Sequence, residues 1–277
     1  MRQDDKAVWK VPAVMLKLLL LRHGESTSNR DRRMAGQDDA PLTALGVQQC
    51  QQLATWLYDQ GWQPSHIYSS PLRRAVESTT VLLHPWQWQL PDSQGVEATP
   101  TASSRAWRNL SLAARGEHPP PRFCYAAELQ EFQAGILTGL TWTEAQQRYP
   151  DLCEALVTSL DWLPIPQAET PRQGRRRAEA FVAQLLVQHR NGDAVWVMAH
   201  QWILEHLIAA LMGSDRTWQI SMGNTALFEF WLDCDRWSQT GMARHTSTLW
   251  QIQRFNERPH LLTGGAITTA PPADSAP

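Results

Sequence analysis

Val14-Met15-Leu16-Lys17-Leu18-Leu19-Leu20-Leu21-Arg22-His23-Gly24-Glu25-Ser26 is a short apolar run that stops abruptly at an arginine, a histidine and a glycine. The run reads as a buried strand. A strand that delivers a cation and an imidazole side by side at its carboxyl end can supply an anion clamp and a nucleophile together. Gly24 then lets the backbone turn away at low steric cost. In open α/β sheets, ligands sit beyond the carboxyl ends of the strands, which is where this pair would lie.

Two further strands end in the same kind of residue. Ile67-Tyr68-Ser69-Ser70 is followed by Pro71-Leu72-Arg73-Arg74-Ala75, where Ser70 suits a helix N-cap and Pro71 the first helical position. Ala194-Val195-Trp196-Val197-Met198-Ala199 ends at His200. Between them, Leu129-Gln130-Glu131-Phe132-Gln133-Ala134-Gly135-Ile136-Leu137-Thr138-Gly139 sets one carboxylate ahead of two spaced glycines.

These blocks together resemble the histidine phosphatase superfamily, in its phosphoglycerate-mutase-like branch. Leu-Leu-Arg-His-Gly-Glu-Ser with Asn29 is similar to the family's opening motif, and Asp39-Ala40-Pro41-Leu42-Thr43 with Gly46 to its next block. Ser70-Pro71-Leu72-Arg73-Arg74-Ala75 resembles the block whose catalytic arginine falls on Arg74. Leu129-x-Glu131-x-x-x-Gly135-x-x-x-Gly139 resembles the block carrying the proton donor. His200 matches the second catalytic histidine, and Phe255-Asn256 with His260-Leu261 the usual ending. The resemblance runs in order over residues 15 to 261. It implies a three-layer α/β/α sandwich around a mostly parallel central sheet.

Composition agrees with a compact enzyme. Of 277 residues 43% are hydrophobic, enough for a large core, and 25 basic against 27 acidic residues set up no strong field. Nucleic-acid and membrane-surface binding therefore have no compositional support. Cys50, Cys124, Cys153 and Cys234 lie far apart without a Cys-x-x-Cys, which argues against a cysteine zinc site or a disulfide framework and fits a reducing cytoplasm. No apolar run reaches membrane-span length, and residues 1–13, with Asp4, Asp5 and Pro12, do not read as a signal peptide.

The punctuation divides the chain into an extension (1–13), a catalytic domain (14–262) with an insertion at about 85–127, and a disordered tail (263–277). Helices are expected over 43–60, 71–84, from Thr141 toward Arg148 behind a capping box, over 175–189 and over 202–212. A short helix is expected around 106–114, and the last strands over 224–233 and 247–255. Glu131 lies 57 positions after Arg74, longer than in compact members of the family. The extra segment is the insertion, expected near the pocket mouth, where it would set substrate choice and where Trp86, Trp88 and Trp107 would form a lid.

The chemistry can be derived from the residue types. A phosphate monoester carries close to two negative charges, so its transfer needs cations on the equatorial oxygens, an in-line nucleophile and an acid for the leaving oxygen. Arg22 and Arg74 can each grip two oxygens in a fork. His23 attacks when neutral, a form its arginine neighbours favour, and becomes a phosphohistidine. Glu131 protonates the leaving alkoxide and then activates water. His200, protonated against a bound dianion, stabilises the transferring group, and Asn29 donates a further hydrogen bond. No metal or cofactor is needed, because these groups carry the charge. Gln201 stands where this branch has glycine, and is expected to shape the leaving-group site.

Other charged residues read as structural. Arg73 would face solvent or a carboxylate on its own helix, Glu25 would support the loop, and Arg175-Arg176-Arg177 would be a solvated helix face. Arg30, Arg32 and Arg33 read the same way. The family's mutases carry Arg-His-Tyr directly after the catalytic glutamate, whereas here Phe132-Gln133-Ala134 is uncharged, which favours a phosphatase. A mutase, or a non-catalytic member that binds a phospho-ligand or a partner protein, are the alternatives. The expected partner is a small-molecule phosphate ester, and oligomeric state is open.

Overall fold

The computed structural model describes residues 14–90, 109–116, 118–236 and 245–261. The leucine run forms β1 (Leu16–Arg22) inside a seven-stranded sheet. Its partners are β2 (His66–Ser69), β4 (Asn109–Ser111), β6 (Arg122–Tyr125), β7 (Ala194–Ala199), β8 (Leu227–Leu232) and β9 (Trp250–Glu257). The spatial order is β4-β6-β2-β7-β1-β8-β9. β6, β2, β7 and β1 run parallel, while β4, β8 and β9 join antiparallel at the two edges. A separate ribbon pairs β3 (Trp88–Gln89) with β5 (Ala113–Ala114).

Side chains alternate along a strand, so β1 feeds two cores. Leu16, Leu18 and Leu20 pack with Phe181, Val182 and Leu185 of α6 (Pro171–Gln188) and Ile203, Leu204 and Leu207 of α7 (Gln201–Leu211). Leu19 and Leu21 face the other way, toward Leu53, Ala54 and Leu57 of α2 (Ala44–Asp59) and Ala75 and Leu82 of α3 (Arg73–Leu82). All five leucines are at most 1% exposed, each worth about 1.5–3 kcal/mol on burial. Helices on both faces of a mostly parallel sheet make the expected three-layer α/β/α sandwich. A smaller cluster of Leu137, Ala145 and Cys153 lies under α4 (Trp142–Arg148) and α5 (Pro150–Thr158). The remaining helix, α1 (Thr27–Arg30), is a single turn.

Local signals acted as expected at several ends. Thr43 Oγ1 caps α2 by accepting the Gly46 amide at 3.0 Å. Thr141 and Glu144 form the capping box of α4, and Arg73 pairs with Glu77 on its own helix at 2.7 Å. Glu25 accepts from the Thr43 hydroxyl at 2.7 Å, a loop support. All four cysteines are free thiols. Among the described residues no helix is long and apolar enough to cross a membrane.

Several expectations are corrected. The helix α3 starts later than expected, with Leu72 as its N-cap and no side-chain bond there; Ser70 Oγ accepts the Leu72 amide at 3.3 Å and is also engaged by His200. The part of 106–114 that is described is strand rather than helix: β4 extends the central sheet and β5 pairs with β3. The described part of 85–127 is accordingly joined to the sheet by β4 and β6, with Phe123 and Cys124 at most 1% exposed. Trp86 and Trp88 stack at 5.4 Å and are at most 3% exposed, so they are core side chains and form no lid; Trp107 lies outside the described residues, as do the extension 1–13 and the tail 263–277. Arg175 and Arg177 are not a solvated face. Arg175 donates to the Ser214 carbonyl and pairs with Glu179, and Arg177 pairs with Glu169 at 2.7 Å.

Candidate active site

Arg22 ends β1, Ser70 comes just after β2 and His200 just after β7, so three neighbouring parallel strands deliver the candidate residues to the carboxyl end of the sheet. His23 is held there by its backbone: its amide donates to the Ala199 carbonyl at 3.1 Å, and its carbonyl accepts from Thr225 and Asn224. Gly24 is needed for close approach rather than for a left-handed turn. A Cβ there would stand 2.6 Å from the Gly46 carbonyl oxygen and 2.7 Å from the Cys50 sulfur.

The two imidazoles have assigned tautomers. His23 Nδ1 lies 2.7 Å from the Gly24 carbonyl, which can only accept, so Nδ1 carries the proton and Nε2 keeps its lone pair. Burial, with Arg74 and Arg22 adding to it, holds the His23 pKa well below its usual value. His200 is the mirror case: Nδ1 accepts the Arg74 Nε–H at 3.1 Å, and Nε2–H donates to Ser70 Oγ at 2.7 Å. Burial and Arg74 depress its pKa strongly as well. Both nitrogens are thus committed as a neutral ring, and the protonation expected of His200 against a bound dianion would have to displace the Arg74 hydrogen bond from Nδ1. The two rings lie 4.9 Å apart.

The arginines differ from each other. Arg74 is 2% exposed and aims its fork at protein, with Nη1 on the Asp38 carbonyl and Nη2 on the Gly36 carbonyl, each at 2.8 Å. It retains two of its five N–H groups for an anion. Arg22 donates to the Met222 carbonyl, while its Nε–H is buried without a partner. Burial lowers its pKa to about 10, which leaves it cationic at neutral pH. An orphaned buried donor is costly, and a phosphoryl oxygen would satisfy it.

Glu131 is seated by backbone amides. Oε1 accepts from Phe132 at 3.0 Å and Ile203 at 3.3 Å, and Oε2 from Trp202 at 3.3 Å. The carboxylate thereby caps α7, whose own N-cap His200 offers no side-chain bond. Burial nevertheless pushes its pKa above the ordinary value, against the pull of Arg74 and these amides. Arg177 fixes the preceding loop through the Glu128 and Gln130 carbonyls, and Gln37 donates to the Glu131 carbonyl at 2.9 Å.

The two predicted auxiliary residues behave differently. Asn29 Oδ1 is filled by the Ser26 amide, the Ser26 hydroxyl and Asn224 Nδ2, leaving its own Nδ2 as the end that can donate to a ligand. Gln201, expected at the leaving-group site, is hydrogen-bonded along α7 to Glu205. Sequence reasoning missed Ser70 as the His200 partner, the Gly36 and Asp38 carbonyls, Arg177, and the Met222–Asn224 loop. Only Ser70 carried a signal, and capping propensity masked it.

The chain belongs to the histidine phosphatase superfamily (branch 1), whose family model matches residues 18–95 and 101–244. A 2,3-bisphosphoglycerate-dependent phosphoglycerate mutase of Latilactobacillus sakei is 39% identical over 69 residues, which is 25% of this chain and 29% of that protein. The match to this curated relative thus spans under a third of its length. The alpha-ribazole phosphatase of Shigella flexneri superposes with a TM-score of 0.61 at 22% identity, covering 88% of this chain and 97% of that one. A mycobacterial glucosyl-3-phosphoglycerate phosphatase gives 0.57 at 22%, covering 87% and 99%. At this identity the two structures speak for the fold.

Proposed function

We propose that this protein is a phosphatase that hydrolyses a small phosphate monoester through a phosphohistidine on His23. The carrying observation is the 2.7 Å contact of His23 Nδ1 with the Gly24 carbonyl, which leaves Nε2 as a free lone pair near buried Arg74 and half-buried Arg22. Nε2 attacks phosphorus, the ester P–O bond breaks, and Glu131 gives its proton to the departing alkoxide. Water then attacks the phosphohistidine, the Glu131 carboxylate takes a proton from it, the P–N bond breaks, and inorganic phosphate leaves. Arg22 and Arg74 hold the equatorial oxygens throughout, with Asn29 Nδ2 as a further donor.

The residues directly after Glu131 favour hydrolysis over mutase chemistry. Phe132 is 5% exposed, 4.9 Å from the His206 ring and under the Arg177 guanidinium at 5.7 Å. Gln133 and Ala134 add no charge, so this stretch supplies no cation to retain a phosphoacid.

The test is phosphate release from an aryl phosphate with EDTA present, together with acid-labile phosphoenzyme trapping. The panel should include α-ribazole phosphate, glucosyl-3-phosphoglycerate and 3-phosphoglycerate, the compounds named for the relatives. Release and trapping that both vanish in His23→Ala are expected. Release that persists in His23→Ala overturns the reading. Phosphate exchange between positions of 3-phosphoglycerate without release would make it a mutase, and binding without turnover a non-catalytic member.

A further inference from the structure

The opposite, amino-terminal end of β2 and β7 carries a cluster that the proposed reaction does not use. We propose that His66, His189 and Asp193 form a binding site for a zinc-class divalent cation, tying the start of β2 to the turn between α6 and β7. One ligand atom from each residue lies within 4.8 Å of the others, and His189 Nδ1 is 3.1 Å from Asp193 Oδ2. Ligand atoms on a tetrahedral zinc, at bonds of about 2.0–2.2 Å, lie roughly 3.3 Å apart, so His189 and Asp193 already stand at chelating distance. The cluster has to close by at most about 1.5 Å to reach that spacing. His66 is partly exposed at the start of β2, where rotation of the side chain can bring the ring closer.

The surroundings supply the outer hydrogen bonds that metal-bound imidazoles require. Ser65 Oγ donates to the Ala194 carbonyl at 3.0 Å, so toward His66 Nδ1 at 2.9 Å it acts as acceptor. That puts the proton on Nδ1 and leaves His66 Nε2 as a lone pair. His189 has a ready exchange. Its Nδ1–H now donates to Asp193, and Nε2 lies 3.0 Å from the Tyr68 hydroxyl. With a cation on Nδ1, the proton resides on Nε2 and donates to Tyr68, whose hydroxyl donates onward to Gln188 Oε1 at 3.4 Å. No proton is lost in this rearrangement.

Donor chemistry selects the ion. Two imidazoles and one carboxylate suit zinc, nickel, cobalt or copper and disfavour magnesium and calcium. Burial keeps both imidazoles neutral at ordinary pH, although Arg122 beside His66 opposes a cation modestly. His189 is 6% exposed, whereas His66 and Asp193 are partly exposed, so the cluster has a closed back and a partly open front for entry and a water ligand. β7 separates Asp193 from His200 by about 23 Å of strand. The ion would therefore act on stability and not on the phosphoryl group.

The test uses the untagged full chain, stripped with EDTA and dialysed. Co2+ should bind at one equivalent with the visible bands of tetrahedral coordination, and Zn2+ should displace it. Zn2+ at about 100 times its Kd should raise Tm by roughly 5–10 °C. His66→Gln and Asp193→Asn, each first shown to fold by a metal-free Tm near that of the parent, should lose both responses while phosphate release stays within twofold. No Co2+ bands and no Zn2+-dependent Tm shift would overturn the site. Responses that survive both variants would show adventitious surface binding only, and overturn it equally.

Discussion

Arg74 donates its Nε–H to Nδ1 of His200 across 3.1 Å. Since an arginine can only donate, this bond makes His200 an Nε2–H tautomer and aims that proton at Ser70. One residue on α3 thus sets the state of an imidazole at the end of β7, 126 positions later.

Replacing Arg74 with lysine should be costly. A single ammonium cannot reach His200, Gly36 and Asp38 together as the planar fork does. We expect kcat/KM on an aryl phosphate to fall at least about 100-fold, or ~3 kcal/mol, the scale of losing charge-assisted hydrogen bonds. Steady-state kinetics checks this, and a loss below tenfold contradicts it.

The pH profile should be bell-shaped, with each limb set by one buried group. His23 must be neutral to attack, and its pKa lies well below 6.5, so the acid limb falls far down the scale. Glu131 must be protonated to assist departure, and burial raises its pKa above 4.5, which sets the alkaline limb. In Glu131→Gln, kcat should drop by about 10²–10⁴ and the alkaline limb should vanish. A profile of kcat/KM with the same alkaline limb in the variant would assign that limb elsewhere.

Glu205 contributes a pH dependence of stability. It is 8% exposed, accepts from the Ile220 amide at 2.9 Å, and burial raises its pKa to about 7. A folded value above the unfolded one means that stability is highest below about 4.5 and is lost as pH rises through about 7. Glu205→Gln removes this loss and should gain on the parent by on the order of 2 kcal/mol between those limits, discounted for the water that reaches the group. Urea denaturation at both pH values reads the difference, and equal shifts at both would contradict it.

Gly174 is required by Phe132. A Cβ at Gly174 would lie 1.9 Å from the tip of the Phe132 ring. Gly174→Ala should cost about 1–3 kcal/mol through overpacking. It should also lower kcat by displacing the residue next to Glu131. A melting curve and a rate assay on the same preparation check both, and an unchanged kcat would mean the ring moves without Glu131.

Much of this fold was legible because its signals are local. The run Leu16–Leu21 had to be a buried strand, and Thr43, Thr141 and Glu144 act within a few residues of themselves. Misreadings arose where a local preference was outbid at long range. Ser70 suits a helix cap and does accept the Leu72 amide, but its shorter bond is to His200, at the end of a distant strand. Arg177 looks solvated by its charged neighbours, but Glu169 and two loop carbonyls hold it. Residues 109–114 have no strong strand pattern, and became strands because β6 and β3 offered unpaired edges.

By itself, the sequence determined which side chains would meet: a strand ending in Arg22-His23, another ending before His200, and Arg74 and Glu131 on the segments between. Tertiary structure alone decided their working state. Which nitrogen of each imidazole carries a proton, where the Arg74 fork points, and which helix the Glu131 carboxylate caps all depend on hydrogen bonds between residues distant in the chain. Such bonds exist only once the sheet has aligned β1, β2 and β7, because a donor and acceptor must come within about 3 Å in the right direction.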